Sequence, residues 1–182
     1  FVLQNISAFI KSPLGILSIN PNIFDPPGAI TAALIVSFIY GQRRNLKLWH
    51  TLDALTPFFA MLAIGLGLSH LAAGTSFGKE TDVPWGIELW NALRHPTQIY
   101  EALASLLIFG LLWLKKQSPH PGMFFLAFAA LTASSRLIIE AFREDSLLTA
   151  SGIRQNQILA WIILGLCFSL MELRISQTKK LD

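Results

Sequence analysis

MFFLAFAALTASSRLIIEAF, residues 123–142, is twenty residues long and apolar except for a few hydroxyls and two ionisable side chains, Arg136 and Glu140. About twenty apolar residues in helical rise match the hydrocarbon thickness of a bilayer. In hydrocarbon every backbone amide must be bonded internally, so the stretch is read as a transmembrane helix. Four further apolar runs flank it: residues 27–40, 55–73, 99–114 and 158–173. The first of these, GAITAALIVSFIY, is the weakest and lies near the lower length limit for a span. The predicted fold class is an all-α, polytopic transmembrane helical bundle. It has about five spans, near 27–41, 55–73, 98–114, 122–142 and 157–173, within one membrane domain covering 1–182.

Composition agrees with that frame. Of 182 residues, 53% are hydrophobic and only 14% charged, where a soluble domain carries roughly a quarter charged. Mean hydropathy is +0.52. The single cysteine, Cys167, excludes an internal disulfide framework and lies in an apolar run, as a small core or lipid-facing residue. The net charge of +3 comes from short basic clusters at helix ends, a pattern that does not fit nucleic-acid binding. The chain starts at Phe1 without a signal-peptide pattern, which reads as processing or trimming. Residues 1–26 contain Pro13, Pro21 and Pro26 and read as an interfacial segment, with a surface helix near Val2–Ile10.

Loop charge orients the chain. Arg43, Arg44 and Lys47, then Lys115 and Lys116, then Arg174, Lys179 and Lys180 form three basic clusters. They alternate with mixed loops holding Lys79, Glu80, Asp82, Glu88 and Arg94, and Arg143, Glu144, Asp145 and Arg154. The positive-inside rule puts the basic clusters and the C-terminus in the cytoplasm, and Phe1 outside.

Ionisable groups inside a span are costly and therefore candidates for function. In SRLIIEAFRED (135–145), Arg136, Glu140 and Arg143 fall at i, i+4 and i+7, on one helical face. Two guanidiniums around one carboxylate can hold a phosphate or a phospholipid headgroup; a structural ion-pair ladder fits the spacing as well. In RHPTQIYEAL (94–103), Pro96 suits the first turn of a helix, which puts His95 at the helix start and Glu101 at membrane depth. His95 can act as a general base and Tyr100 as a hydrogen-bond donor; helix capping and an interfacial tyrosine explain the same residues. GTSFGKETDVPWG (74–86) reads as an ordered surface loop anchored by Trp85. His50, His70 and His120 have no partners at metal-ligand spacing and are read as satisfied polar or interfacial residues. No motif for a metal or cofactor is present, so none is expected.

Three blocks carry a resemblance: LKLWHTLDALTP (46–57), TDVPWGI (81–87) with RHPTQIYEAL (94–103), and SRLIIEAFRED (135–145) followed by NQIL (156–159). In residue order and spacing they resemble the prolipoprotein diacylglyceryl transferases of bacterial inner membranes. The resemblance implies an outward-facing site that moves diacylglyceryl from phosphatidylglycerol to a lipoprotein cysteine thiol, with release of glycerol phosphate. It matches Arg136 and Arg143 to the family's functional arginines, Glu140 to the carboxylate between them, and His95, Tyr100 and Glu101 to its HPxQxYE block. It also implies that the chain lacks the family's N-terminal part.

Two polar positions of the family pattern depart from it. Its His-Gly-Gly block falls on Pro27, Gly28 and Ala29, and the arginine of its Gly-Arg-x-Gly block falls on Gly67. Loss of a single electrostatic donor costs an active site orders of magnitude in rate. The leading expectation is therefore a catalytically degenerate member, a phospholipid-binding or structural subunit beside other membrane proteins. The alternative is an active transferase with a rearranged site, in which His95 or His70 serves as base. A transporter would need a polar path through the bilayer, and charge buried within the span near 122–142 does not by itself make one.

Overall fold

The computed structural model describes residues 10, 26–114 and 120–178. The element order is α1 (Pro26–Arg43), α2 (Leu48–Ala73), β1 (Ile87–Leu89), β2 (Ala92–Arg94), α3 (Thr97–Leu114), α4 (Met123–Glu140) and α5 (Gln155–Thr178). The expected interfacial helix near residues 2–10 lies outside the described residues except for its last position. The chain divides into two compact units, one ending at Leu48 and one running from Trp49.

In the first unit, α1 starts on two prolines, whose missing N–H groups cost nothing in the first turn. Thr31 bonds back to the Pro27 carbonyl at 2.8 Å. The helix ends in the turn at Arg44–Leu46, where Asn45 takes a left-handed conformation with φ 51°.

The second unit is helical around one small hairpin. Among the described residues, four helices are long and apolar enough to cross a membrane: α2, α3, α4 and α5 over Gln155–Ser176. The protein is thus an all-α polytopic membrane protein. The segment near 27–41, the weakest of the five expected spans, does form a helix but is not among those four, because prolines, Gln42 and Arg43 dilute its apolar centre.

The contact between α4 and α5 interleaves small side chains with leucines. Leu126, Ala130 and Ala133 meet Ala160, Leu164 and Cys167. Small residues let helix backbones approach where lipid supplies no hydrophobic drive between helices. Cys167 is therefore a core residue of this seam. On α3 the buried positions are Thr97, Gln98, Glu101, Ala102, Ile108 and Leu112, one face at helical spacing. The opposite faces leave large apolar side chains exposed, such as Leu106, Leu107 and Trp161, as a lipid solvent allows.

α2 begins seven residues before the expected span because its first turns have work of their own. Asp53 Oδ2 accepts the Gly122 N–H at 2.6 Å and Oδ1 accepts the Phe125 N–H at 2.9 Å. Gly122, with φ 93° and no side chain, cannot cap α4 itself, so Asp53 caps it from another helix. A Cβ on Gly122 would meet the Trp49 ring at 2.3 Å, and the Arg174 guanidinium lies 4.3 Å from the centre of that ring.

The sequence does not announce the hairpin. β1 and β2 pair antiparallel with Ile87 opposite Arg94. Trp90 and Asn91 both have positive φ, 55° and 60°, as a two-residue type I′ turn requires. Trp90 is an unusual choice there, and its indole N–H donates to the Gly74 carbonyl at 3.2 Å, which holds the turn.

Removing the Asp53 cap tests its contribution. Asp53→Ala leaves two backbone N–H groups at the start of α4 without their acceptor, and is expected to destabilise the fold by about 1–2 kcal/mol. Thermal unfolding in detergent, followed by tryptophan fluorescence, reads this as a lower Tm.

Candidate functional site

The site forms where α2, α3 and the end of α4 converge on Glu101. Helices α2 and α3 touch at Gly67: a Cβ there would lie 2.9 Å from the Ala102 backbone nitrogen. Only glycine permits this approach. The position where the family pattern has an arginine is therefore filled by close helix packing, and no larger side chain fits it as packed. One turn further along α2, His70 reaches Glu101, with Nδ1 3.1 Å from Oε2. Sequence reading takes His70 as a satisfied polar residue, or as a base in the rearranged-site alternative. Its partner lies 31 residues away on another helix, so no local pattern signals the pair.

The other carboxylate oxygen of Glu101 faces arginines. Arg136 Nη1 donates to Oε1 at 2.7 Å, and Arg143 Nη1 lies 3.6 Å from the same atom. Glu101 is 6% exposed. A buried charge persists only when paired and hydrogen-bonded, and Glu101 has both kinds of partner.

Arg136, Glu140 and Arg143 do not share one helical face as their spacing predicts. α4 ends at Glu140, where Ala141 and Phe142 donate back to Ile138 and Ile139 in a tightened last turn. The chain then runs beside residues 77–79. Gly78 and Arg143 form an isolated antiparallel bridge, Lys79 N–H donates to the Phe142 carbonyl at 2.8 Å, and Glu144 N–H donates to Phe77 at 3.1 Å. These backbone bonds compete with helix continuation and take Arg143 out of α4.

Arg143 is consequently a structural centre. Its Nε and Nη2 bond Asp145 Oδ1 at 3.0 and 2.8 Å, and Nη2 reaches Ser76 Oγ at 3.2 Å. Glu140, 1% exposed, lies 3.7 Å from Arg143 Nη1 and accepts from Asn156 Nδ2 at 3.2 Å. Arg154 ties the turn together by donating to the Glu140 and Arg143 carbonyls. Arg136 differs: its side chain is 39% exposed, and it lines an open groove of about 490 Å³ between α4 and α5, with Asn156, Thr132, Phe128, Leu159 and Ile163.

The loop at 74–80 is stitched to the start of α3. Thr97 Oγ1 donates to the Ser76 carbonyl, and Gln98 Nε2 to the Thr75 carbonyl at 2.9 Å; Thr97 and Gln98 are fully buried. Gly78 sits against His95, where a Cβ would lie 2.3 Å from the His95 carbonyl oxygen. Arg94 donates to the Leu89 and Gly78 carbonyls and to Glu80, and lies over the Phe77 ring. His95 and Tyr100 meet, with Nδ1 and Oη 3.2 Å apart, and the Phe142 ring packs edge-on against both. Trp85 is a second anchor: its indole N–H donates to Tyr100 Oη at 2.8 Å. Among the described residues no group of three or more His, Cys, Asp or Glu is placed to hold a metal ion.

These features define a class: a multi-pass helical membrane protein with a buried carboxylate that gathers a histidine and two arginines beside an open groove. Comparison with known proteins specifies it further. The sequence model of the prolipoprotein diacylglyceryl transferases matches residues 2–172, and the chain belongs to that family. It is 33% identical to the phosphatidylglycerol–prolipoprotein diacylglyceryl transferase of Aliarcobacter butzleri over 156 residues, 81% of this chain and 53% of the relative. The Campylobacter lari enzyme of the same name is 32% identical over 149 residues, 78% of this chain and 55% of the relative. That of Brucella anthropi is 28% identical over 154 residues, with 79% and 54% covered. The chain spans about half the length of the curated relatives it matches.

Glu101→Gln keeps the shape and removes the charge that Arg136 and Arg143 face. Breaking a buried ion pair from one side costs about 3 kcal/mol or more. The variant is expected to unfold at lower temperature, and to do so more severely than Glu80→Gln, whose carboxylate is exposed. Parallel melting curves of the two variants check this.

Proposed function

We propose that this chain is a membrane transferase acting on an anionic phospholipid, moving diacylglyceryl from phosphatidylglycerol to a lipoprotein cysteine thiol in a bacterial inner membrane. The observation that carries the reading is the double engagement of Glu101. One oxygen orients His70 and the other holds Arg136, which borders the groove. A proton acceptor and a phosphate-binding cation are thereby held by one carboxylate.

The reaction needs both. With Nδ1–H donated to Glu101, the neutral His70 ring has its Nε2 lone pair free to take the thiol proton. The thiolate sulfur then attacks the glyceryl carbon that bears the phosphate. A C–S bond forms, the C–O bond breaks, and the electron pair leaves on the oxygen of glycerol phosphate. Arg136 offsets the charge of that phosphate through bidentate hydrogen bonding. Glu101 orients His70, Tyr100 and His95 line the same end of α3, and Arg143 and Glu140 fix the turn that ends the helix carrying Arg136. No metal or cofactor enters the scheme.

A second reading is a phospholipid-binding subunit without turnover, working beside other membrane proteins. Gly67 and Pro27 favour it, since neither can supply the polar side chain of the family pattern at its position.

One assay separates the two. The purified 182-residue chain in phosphatidylglycerol nanodiscs is offered a lipobox peptide, with an active relative as control, and products are read by mass spectrometry. The transferase reading expects a peptide adduct of diacylglyceryl mass, reduced at least about a hundredfold by Arg136→Ala or His70→Ala, as loss of a single electrostatic or acid–base group does. No adduct while the control turns over overturns it in favour of the binding subunit. Transfer undiminished in Arg136→Ala removes the groove cation from the mechanism.

A further inference from the structure

The two imidazoles of the site are bonded in opposite senses. His70 Nδ1 faces a carboxylate oxygen. An ionised carboxylate only accepts, so Nδ1 carries the hydrogen and the neutral ring offers a lone pair at Nε2. His95 Nδ1 faces the hydroxyl of Tyr100, which can donate or accept. An indole N–H only donates, so the Trp85 bond at 2.8 Å takes one of the two lone pairs of Tyr100 Oη. The second lone pair can still accept from a His95 Nδ1–H, but His95 Nδ1 is the protein acceptor that the hydroxyl hydrogen itself can reach among the described residues. If His95 kept a hydrogen on Nδ1 instead, the Tyr100 hydrogen would have no protein acceptor among the described residues.

Packing holds this arrangement in place. His95 N–H donates to the Lys79 carbonyl at 3.0 Å, and Gly78 presses on the His95 backbone. The Phe142 ring closes on His95 and Tyr100, with ring centres 5.2 and 6.3 Å away. The Nδ1 edge is thus occupied, and Nε2 is the edge left for a ligand.

We propose that Trp85 and Tyr100 form a two-bond relay that fixes His95 as its Nε2–H tautomer, so that His95 presents a hydrogen-bond donor while His70 presents an acceptor. Trp85 and Tyr100 are positioning residues acting through His95. The tautomer assignment stands on geometry alone. The role that follows rests on the transferase reading above: His95 Nε2–H donates to an oxyanion of the phosphate-bearing substrate, and the proton acceptor is His70, not His95.

Nitrogen-15 NMR reads the relay directly. The full chain is labelled at histidine, placed in phosphatidylglycerol nanodiscs and measured at pH about 8, above the ordinary imidazole range. Signals are assigned by their loss in His95→Gln and His70→Gln. The expected result is a bare Nδ1 and a protonated Nε2 for His95, and the reverse for His70. In Tyr100→Phe the bare-Nδ1 signal of His95 is lost to the other tautomer or to an average, while His70 is unmoved and reports an intact fold. A wild-type His95 protonated at Nδ1 overturns the proposal, whether or not the variants fold. So does a His95 tautomer unchanged in a folded Tyr100→Phe. If the relay is present but no peptide adduct forms in the transfer assay, the transferase reading fails and the tautomer assignment stands.

Discussion

A buried carboxylate at membrane depth must find cations or hydrogen-bond donors within the protein. Glu101 meets that requirement from three elements at once: His70 on α2, Arg136 on α4 and Arg143 in the turn beyond α4. Each of these comes from a segment that is otherwise apolar or short, and lipid supplies little drive to bring such segments together. The pairing of Glu101 therefore specifies how α2, α3 and α4 meet. The small-residue seam between α4 and α5 adds close packing but no directional bond of comparable strength.

That convergence depends on missing side chains as much as on charged ones. Gly67 lets α2 and α3 touch by backbone, which brings His70 within reach of Glu101. Gly78 lets the 77–80 loop lie against His95, and the same loop pairs with the chain at Arg143. The loop thus joins the two ends of the site, with Thr97 and Gln98 fastening it from the start of α3. A side chain at position 67 would press on the Ala102 backbone, so an arginine there requires α2 and α3 to shift apart.

The membrane frame was legible because its signal is compositional and local. Runs of apolar residues located α2 to α5. Arg136, Glu140 and Glu101 stood out as charges at membrane depth, and His95 and Tyr100 as polar groups at a helix start. What escaped was whatever depends on partners far along the chain. The bond of His70 to Glu101 gave no local signal because the partner is a helix away, and neither did the cap that Asp53 provides for α4. Arg143 was placed on the face of α4 because residue spacing cannot report that backbone bonds to Phe77 and Lys79 end the helix at Glu140. The hairpin was missed because a Trp-Asn turn lacks the glycine that usually signals positive φ.

The two arginines that spacing treats as equivalents have thereby separated in role. Arg143 is only 10% exposed in its side chain and holds Asp145, Ser76 and the carboxylates around it. A guanidinium so fully engaged would have to break several bonds to receive a phosphate. Arg136 makes one hydrogen bond, to Glu101, and otherwise borders the groove. That single bond aims the guanidinium without exhausting its five donors, so the remaining N–H groups can meet an anion at no cost to the fold. On the proposed reading, anion binding follows from unspent donors and falls to the arginine that remained on the helix.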